Sequence, residues 1–395
     1  MTDSKQDPRS LIHLPPSGEM NFSDLISSFV HFLEIPGMNE SLHSRSLIRE
    51  INPKESIVFV FADGLGSCFL SRLPDSAFLN RNKVRDIHSV FPSTTPCAMF
   101  NCSTGMEPAL HGIPGRWTYL KEHNAQIITF TISERYFGDI CKQEEYPMEE
   151  VWQTPSIYTR TGKEVLFVIP GLWTDSVFEK YLCGTNPVGK YHSIKNAVDL
   201  ILENVTGAAA PDFSFLYLMD LDTILHERGT EDPGVDSLLA TINAELERLA
   251  VSLPPGVRLC ISADHGQIEV PPDKRLSMSS NDPLYNLLET SPYGEPRAPH
   301  FAVKNGMEAE FLSLFRRQYG EFFHIFSRDE LSAARVFGRH ELSERAKELY
   351  GNFIGVAKDR HTLHYYPDGA GLEADHLGEH GGTEPEEITI PLILA

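Results

Sequence analysis

The chain has 395 residues, 41% of them hydrophobic, enough for one large α/β domain or two smaller ones with a sizeable core. Its formal net charge of -21 argues against nonspecific binding to nucleic acid or to an anionic membrane, since both need clustered Lys and Arg, but a bound metal would still admit small anionic substrates. The six cysteines, Cys68, Cys97, Cys102, Cys141, Cys183 and Cys260, contain no CxxC pair, which excludes a zinc ribbon or dithiol motif and reads as reduced thiols.

Residues 1–20, MTDSKQDPRSLIHLPPSGEM, read as a loose polar tail without the apolar centre of a signal peptide. No run approaches the length of a membrane span. A cytoplasmic protein that does not engage membranes is the expectation. Short apolar runs then follow, each ended by turn residues: SIVFVFA (56–62), IITFTI (127–132), EVLFVIP (164–170), FSFLYLM (213–219), VRLCIS (257–262) and ITIPLILA (388–395). Unbroken runs of this length suit strands buried on both faces. Helical spacing lies between them, as in VDSLLATINAELERLAVSL (235–253). Strand alternating with helix predicts a mostly parallel sheet covered on both sides. Between about 271 and 375 the texture changes to loops and a strand–helix–strand pattern, which predicts an inserted subdomain before the final strand.

Chemistry-bearing residues follow these strands. SIVFVFA runs into Asp63-Gly-Leu-Gly; FSFLYLM is followed by Asp220, Asp222 and His226; VRLCIS leads to Asp264-His265-Gly266; and His376-Leu-Gly-Glu-His380-Gly-Gly precedes the last strand. In open parallel sheets ligands gather at the carboxyl ends of strands, so these groups should converge. A lone Asp after a strand caps a helix more often than it binds anything. Here carboxylate and imidazole recur at several strand ends, a mixture that suits zinc or another borderline divalent ion. Asp222 and His226, one helical turn apart, can reach one ion. The stretch FPSTTPCAMFNCSTG (91–105) sets Thr94 and Thr95 between prolines, either as a helix cap or as a hydroxyl nucleophile at a helix N-terminus.

The stretches VFADGLG, FPSTTPCAMFNCSTG with HGIPG after it, DLDTILHERG, SADHGQ and GEHGGTEPEEITIPLIL, in this order from about Ile57 to Ala395, resemble the alkaline phosphatase superfamily, and most of all its nucleotide pyrophosphatase and type I phosphodiesterase branch. The resemblance implies an alkaline-phosphatase-like three-layer α/β/α sandwich over residues 21–395, with the small α+β insertion at about 271–375. It implies two divalent metal ions, zinc by family habit. One would be held by Asp222, His226 and His380, and the other by Asp63, Asp264 and His265. The family pattern PTxTFPN falls without gaps on PSTTPCA, which makes Thr95 the nucleophile and leaves Thr94 to shape the turn. His111, Asp220 and His376 are left as supporting or purely structural residues.

The implied activity is hydrolysis of a small phosphate ester or nucleotide through a phospho-threonine, as a phosphodiesterase or nucleotide pyrophosphatase. The same scaffold also suits a phosphomonoesterase, phosphonate hydrolase or phosphotransferase, and a noncatalytic metal-binding relic is the distant alternative. One departure bears on the choice. Branch members often carry Asn three residues after the nucleophile, where this chain has Ala98. The residues after Thr95, Pro96 to Phe100, suit an apolar wall beside the substrate; from Phe91 the first cation is Arg116, and Arg297 is the cation to watch as one that could arrive from elsewhere.

Overall fold

Ser56–Ala62 is buried at every position because it forms the middle of a seven-stranded sheet, apolar contacts closing over both faces. In the computed structural model, which describes residues 7–14, 19–38, 41–52, 56–136, 146–206, 210–366 and 376–395, the sheet order by residue range is Lys83–His88, Thr389–Leu394, Val257–Ser262, Ser56–Ala62, Phe213–Leu218, Val165–Pro170, Val188–Tyr191. Residues 1–6 and 15–18 of the expected tail, 367–375 of the expected insertion, and Cys141 lie outside the described residues. Thr389–Leu394 runs antiparallel to both its neighbours, and the other pairings are parallel. The mostly parallel α/β architecture read from the sequence is therefore the observed one.

Register decides where the acids fall. Ala62 lies opposite Leu218 and Phe61 opposite Ser262, so three strands end level. The residues that follow them, Asp63, the Asp220–Arg228 helix and Asp264, emerge along one edge. One core cluster joins the sheet to the helices on it: Phe29 of the helix Phe22–Phe32 meets Phe59 at 4.7 Å, and the helices Ile194–Val205 and Pro233–Ser252 bury their apolar stripes in the same cluster. Among the described residues no helix is long and apolar enough to cross a membrane.

IITFTI does not join this sheet. Its first two residues, Ile127 and Ile128, belong to the strand Ala125–Ile128 of a second, antiparallel sheet, and Thr129 to Ile132 turn away. Two strands of the main sheet, Lys83–His88 and Val188–Tyr191, lack an apolar run because they are its edges, where one flank meets water and charge is tolerated. The second sheet runs Phe323–Ser327, Phe353–Ala357, Ala298–Phe301, Tyr293–Glu295, Trp117–Leu120, Ala125–Ile128, Ser133–Glu134. It is tied to the last turn before the final strand by Arg297, which is fully buried. Arg297 donates to both carboxylate oxygens of Glu387 (2.6 and 2.8 Å) and to the carbonyls of His361 and Asp359. It is a structural clasp and does not line the site's cavity.

Two histidines are kept neutral by this packing. Burial lowers His111 and His300 to about 3 each, and each Nδ1 accepts a backbone N–H, from Ile113 and Gly351. The unfolded chain protonates them near pH 6.5, so the stability they support is present above that pH and is lost as pH falls from 6.5 towards 3. By pH 5 the loss is roughly 2 kcal/mol per histidine. Between pH 7 and pH 5, denaturant unfolding should take about 2 kcal/mol more from the wild type than from His111→Asn. Equal losses would remove His111 from the account.

Candidate active site

The threonine pair divides its work. Thr94 caps the helix Thr95–Thr104, yet makes no side-chain capping bond, because its hydroxyl donates to Glu295 Oε1 at 2.6 Å. It is fully buried. Thr95 points the other way. Its Oγ1 lies 3.1 Å from His265 Nε2 and 3.3 Å from Asp63 Oδ1. Pro96, the second residue of the helix, has no N–H to leave unpaired in the first turn, and Gly105 ends the helix at φ 69°.

The six acids and histidines singled out in the sequence fall into two sets. The ligand atoms of Asp63, Asp264 and His265 lie within 4.8 Å of one another, and so do those of Asp222, His226 and His380. The sets abut, since the His265 and His380 rings stack at 3.7 Å. Backbone carbonyls aim each ring: His226 Nδ1 donates to Gly378 O, His265 Nδ1 to Gly266 O and His380 Nδ1 to Ser93 O, which leaves every Nε2 turned inward. Two glycines permit the approach. Gly64 has φ 74° and sits against Asp222, while a Cβ on Gly266 would collide with the Glu386 carbonyl.

Further residues hold the sets and were not singled out in the sequence. Tyr217 donates to Asp63 Oδ2 at 2.5 Å and Gln267 Nε2 to Asp222 Oδ1 at 2.5 Å. Glu295 Oε1 takes the Arg116 backbone N–H at 2.6 Å as well as the Thr94 hydroxyl. Of the three residues left open, His111 packs in the core, Asp220 accepts from the Tyr191 hydroxyl, and His376 reaches the site, its ring 4.2 Å from that of His226.

The electrostatics call for cations. Burial raises Asp63 well above the usual carboxylate range, and the nearby Asp264 and Asp222 carboxylates add to it. Burial would also raise Asp222, but His226, His380 and His265 outweigh it and hold Asp222 low. Burial, then the neighbouring His265 and His226, push His380 well down, so its ring is neutral, the form that ligates metal. Asp264 is fully buried and its Oδ2 has no hydrogen-bond partner. An orphaned buried carboxylate oxygen beside a second carboxylate and an inward imidazole nitrogen fits a divalent ion's donor set.

A cavity of about 400 Å³ opens over both sets. Thr95, Asp63, Asp222, His226, His376, Glu379 and His380 form its floor. Ile128, Phe130, Leu172, Trp173 and Phe178 form an apolar wall, in which Leu172 is 86% exposed. The wall expected from Pro96 to Phe100 is not there: Pro96 alone of these reaches the cavity, while Cys97, Ala98, Met99 and Phe100 are core. Arg116 is the one Lys or Arg among the described lining residues, and its side chain is exposed.

The chain is similar to several known proteins. Among solved structures, murine ectonucleotide pyrophosphatase/phosphodiesterase 5 is similar over 86% of this chain and 87% of its own, with 17% identity and a TM-score of 0.63. An inactive threonine-to-alanine form of that murine protein, in complex with AMP, matches over the same shares with 17% identity and a TM-score of 0.61. Phosphonoacetate hydrolase from Sinorhizobium meliloti 1021, in complex with phosphonoformate, covers 87% of this chain and 90% of its own at 17% identity and a TM-score of 0.61. No curated protein sequence matches. At such identities the structures speak for the fold, which is alkaline-phosphatase-like. The signature of one family matches residues 58–383, most of the chain and both residue sets, and the chain accordingly belongs to the type I phosphodiesterase/nucleotide pyrophosphatase family.

Proposed function

We propose that the chain is a two-metal phosphoester hydrolase that works through Thr95, with phosphodiesters or nucleotide-type esters as its substrates. The observation that carries the reading is the placing of Thr95 Oγ1 against Asp63 and His265, with the Asp222/His226/His380 set stacked alongside. The donor set of three carboxylates and three imidazoles favours zinc. When bound, such ions lower the pKa of a hydroxyl and stabilise charge on phosphoryl oxygens.

The chain's own residues supply position. Glu295 fixes Thr94, and so orients the helix whose first residue is the nucleophile. Tyr217 and Gln267 hold Asp63 and Asp222 in place. Thr95 Oγ1 attacks phosphorus, its bond to phosphorus forming as the bond to the leaving oxygen breaks. Water then displaces Thr95 from the phospho-threonine and restores the hydroxyl. The N-terminus of the helix Thr95–Thr104 favours the phosphate's negative charge, which supports phosphate binding despite alanine at position 98. Buried free thiols at Cys97, Cys102, Cys183 and Cys260 support a reducing, cytoplasmic setting.

The apolar wall and the scarcity of cations favour a diester over a monoester. A monoester dianion gains from fixed guanidinium or ammonium groups, of which the described lining offers only Arg116. A diester's second substituent can pack on Phe130, Leu172 and Trp173. With zinc-loaded protein, kcat/KM for an aryl phosphodiester or aryl nucleotide ester should exceed that for the matching aryl monoester by about tenfold or more, that is by about 1.4 kcal/mol of transition-state stabilisation. A monoester preference would put the phosphomonoesterase reading first.

A further inference from the structure

Glu379 is a largely buried carboxylate that belongs to neither of the two ligand sets. Its side chain is 8% exposed, it lines the cavity, and no described residue gives it a hydrogen bond. No ion pair joins it to Arg116 of the same cavity. His376 Nδ1 stands 4.0 Å from Glu379 Oε1, too far for a hydrogen bond. Two ligands each about 2.1 Å from one ion can stand up to about 4.2 Å apart, so an ion could bridge that gap. A carboxylate so largely enclosed, open only to the cavity and without a protein donor, is a ready partner for a cation.

A third ligand is close by. His226 offers a ligand atom that lies, with those of His376 and Glu379, within one 4.8 Å group. The three are held rigidly. Leu377 N donates to His226 O at 2.8 Å, His226 Nδ1 donates to Gly378 O at 2.7 Å, and Gly378–Glu379 pairs with Ile268–Glu269. His226 Nε2 is also 3.2 Å from Asp222 Oδ1, in the set that includes His380. With Nδ1 committed to a carbonyl, the ring can serve one ion at a time.

We propose that His376 and Glu379, with His226, form an outer divalent-metal position that overlaps the Asp222/His226/His380 position through His226 Nε2. The two positions are alternative seats for one ion, so saturation still means two ions per chain. The outer seat faces the cavity, and an ion that loses its inner ligands is kept there. The inference rests on the two-metal reading.

Zinc per chain is measured by equilibrium dialysis and elemental mass spectrometry on the full-length protein. Asp222→Ala removes an inner ligand and should still hold about two ions, while Asp222→Ala/His376→Ala/Glu379→Gln should hold about one, in the Asp63/Asp264/His265 set. That remaining ion, with an unchanged circular-dichroism spectrum, serves as the check on folding. If Asp222→Ala already holds one ion, or the triple variant holds as many as Asp222→Ala, the outer position is overturned while the two-metal reading stands. A wild type that takes up no zinc overturns both.

Discussion

Thr95→Ala should leave a folded, metal-loaded protein whose kcat has fallen by roughly four orders of magnitude or more. The substitution removes the hydroxyl that faces Asp63 and His265, and touches none of the six side chains in the two sets. Metal content should therefore stay near the wild-type value. Thr95→Ser keeps an oxygen there and should retain part of the activity. Thr94→Ala acts differently. It takes one of two donors from Glu295 Oε1 and loosens the start of the helix, an expected loss of about tenfold. Steady-state kinetics on the three variants, with mass spectrometry of acid-quenched enzyme for a phosphate adduct at residue 95, checks the order. If Thr94→Ala proved the more damaging, the nucleophile would be Thr94.

The second large effect is on metal. Asp264 is wholly buried, and its Oδ2 has no hydrogen-bond partner among the described residues. Asp264→Ala should lose the ion of its set and at least about a thousandfold in rate, and chelation should do the same to the wild type. Zinc should restore the chelated wild type and not the variant. Because ions bind the folded chain alone, chelation should also lower the thermal midpoint, free zinc at a thousand times Kd being worth about 4 kcal/mol. Full activity after chelation would end the two-metal mechanism.

What the sequence discloses here depends on how each residue's job is split between packing and chemistry. Central strands such as Ser56–Ala62 must be apolar at every position, and they stand out. Edge strands such as Lys83–His88 need not be, and they hide among charged loops. Asp63, Asp222, Asp264 and His265 are legible because polar residues directly after buried strands contrast with what precedes them. Tyr217 is hidden by the opposite circumstance. Its ring belongs to an apolar run and only its hydroxyl works, on Asp63. Glu295 lies in the loop-like SPYGEPRAPH, and its meeting with Thr94, 201 positions away, has no local signature. Arg297, two residues on, reads as a substrate cation because sequence gives its charge but not its partner, Glu387. The sequence suggests an apolar wall beside the nucleophile, whereas Ile128 ends a strand of the second sheet and Phe130, Leu172 and Trp173 come from connections after other strands.

The strand order of the main sheet bears on how the protein comes into being. Thr389–Leu394 lies between Lys83–His88 and Val257–Ser262, hydrogen-bonded to both. On a ribosome both neighbours emerge well before the strand that joins them. Until it arrives, each presents an open flank to other nascent chains, and His380 is missing from its set. Neither the sheet nor the set that includes His380 can be completed until that late segment has been made. The interval before that strand inserts is when this protein is most open to aggregation.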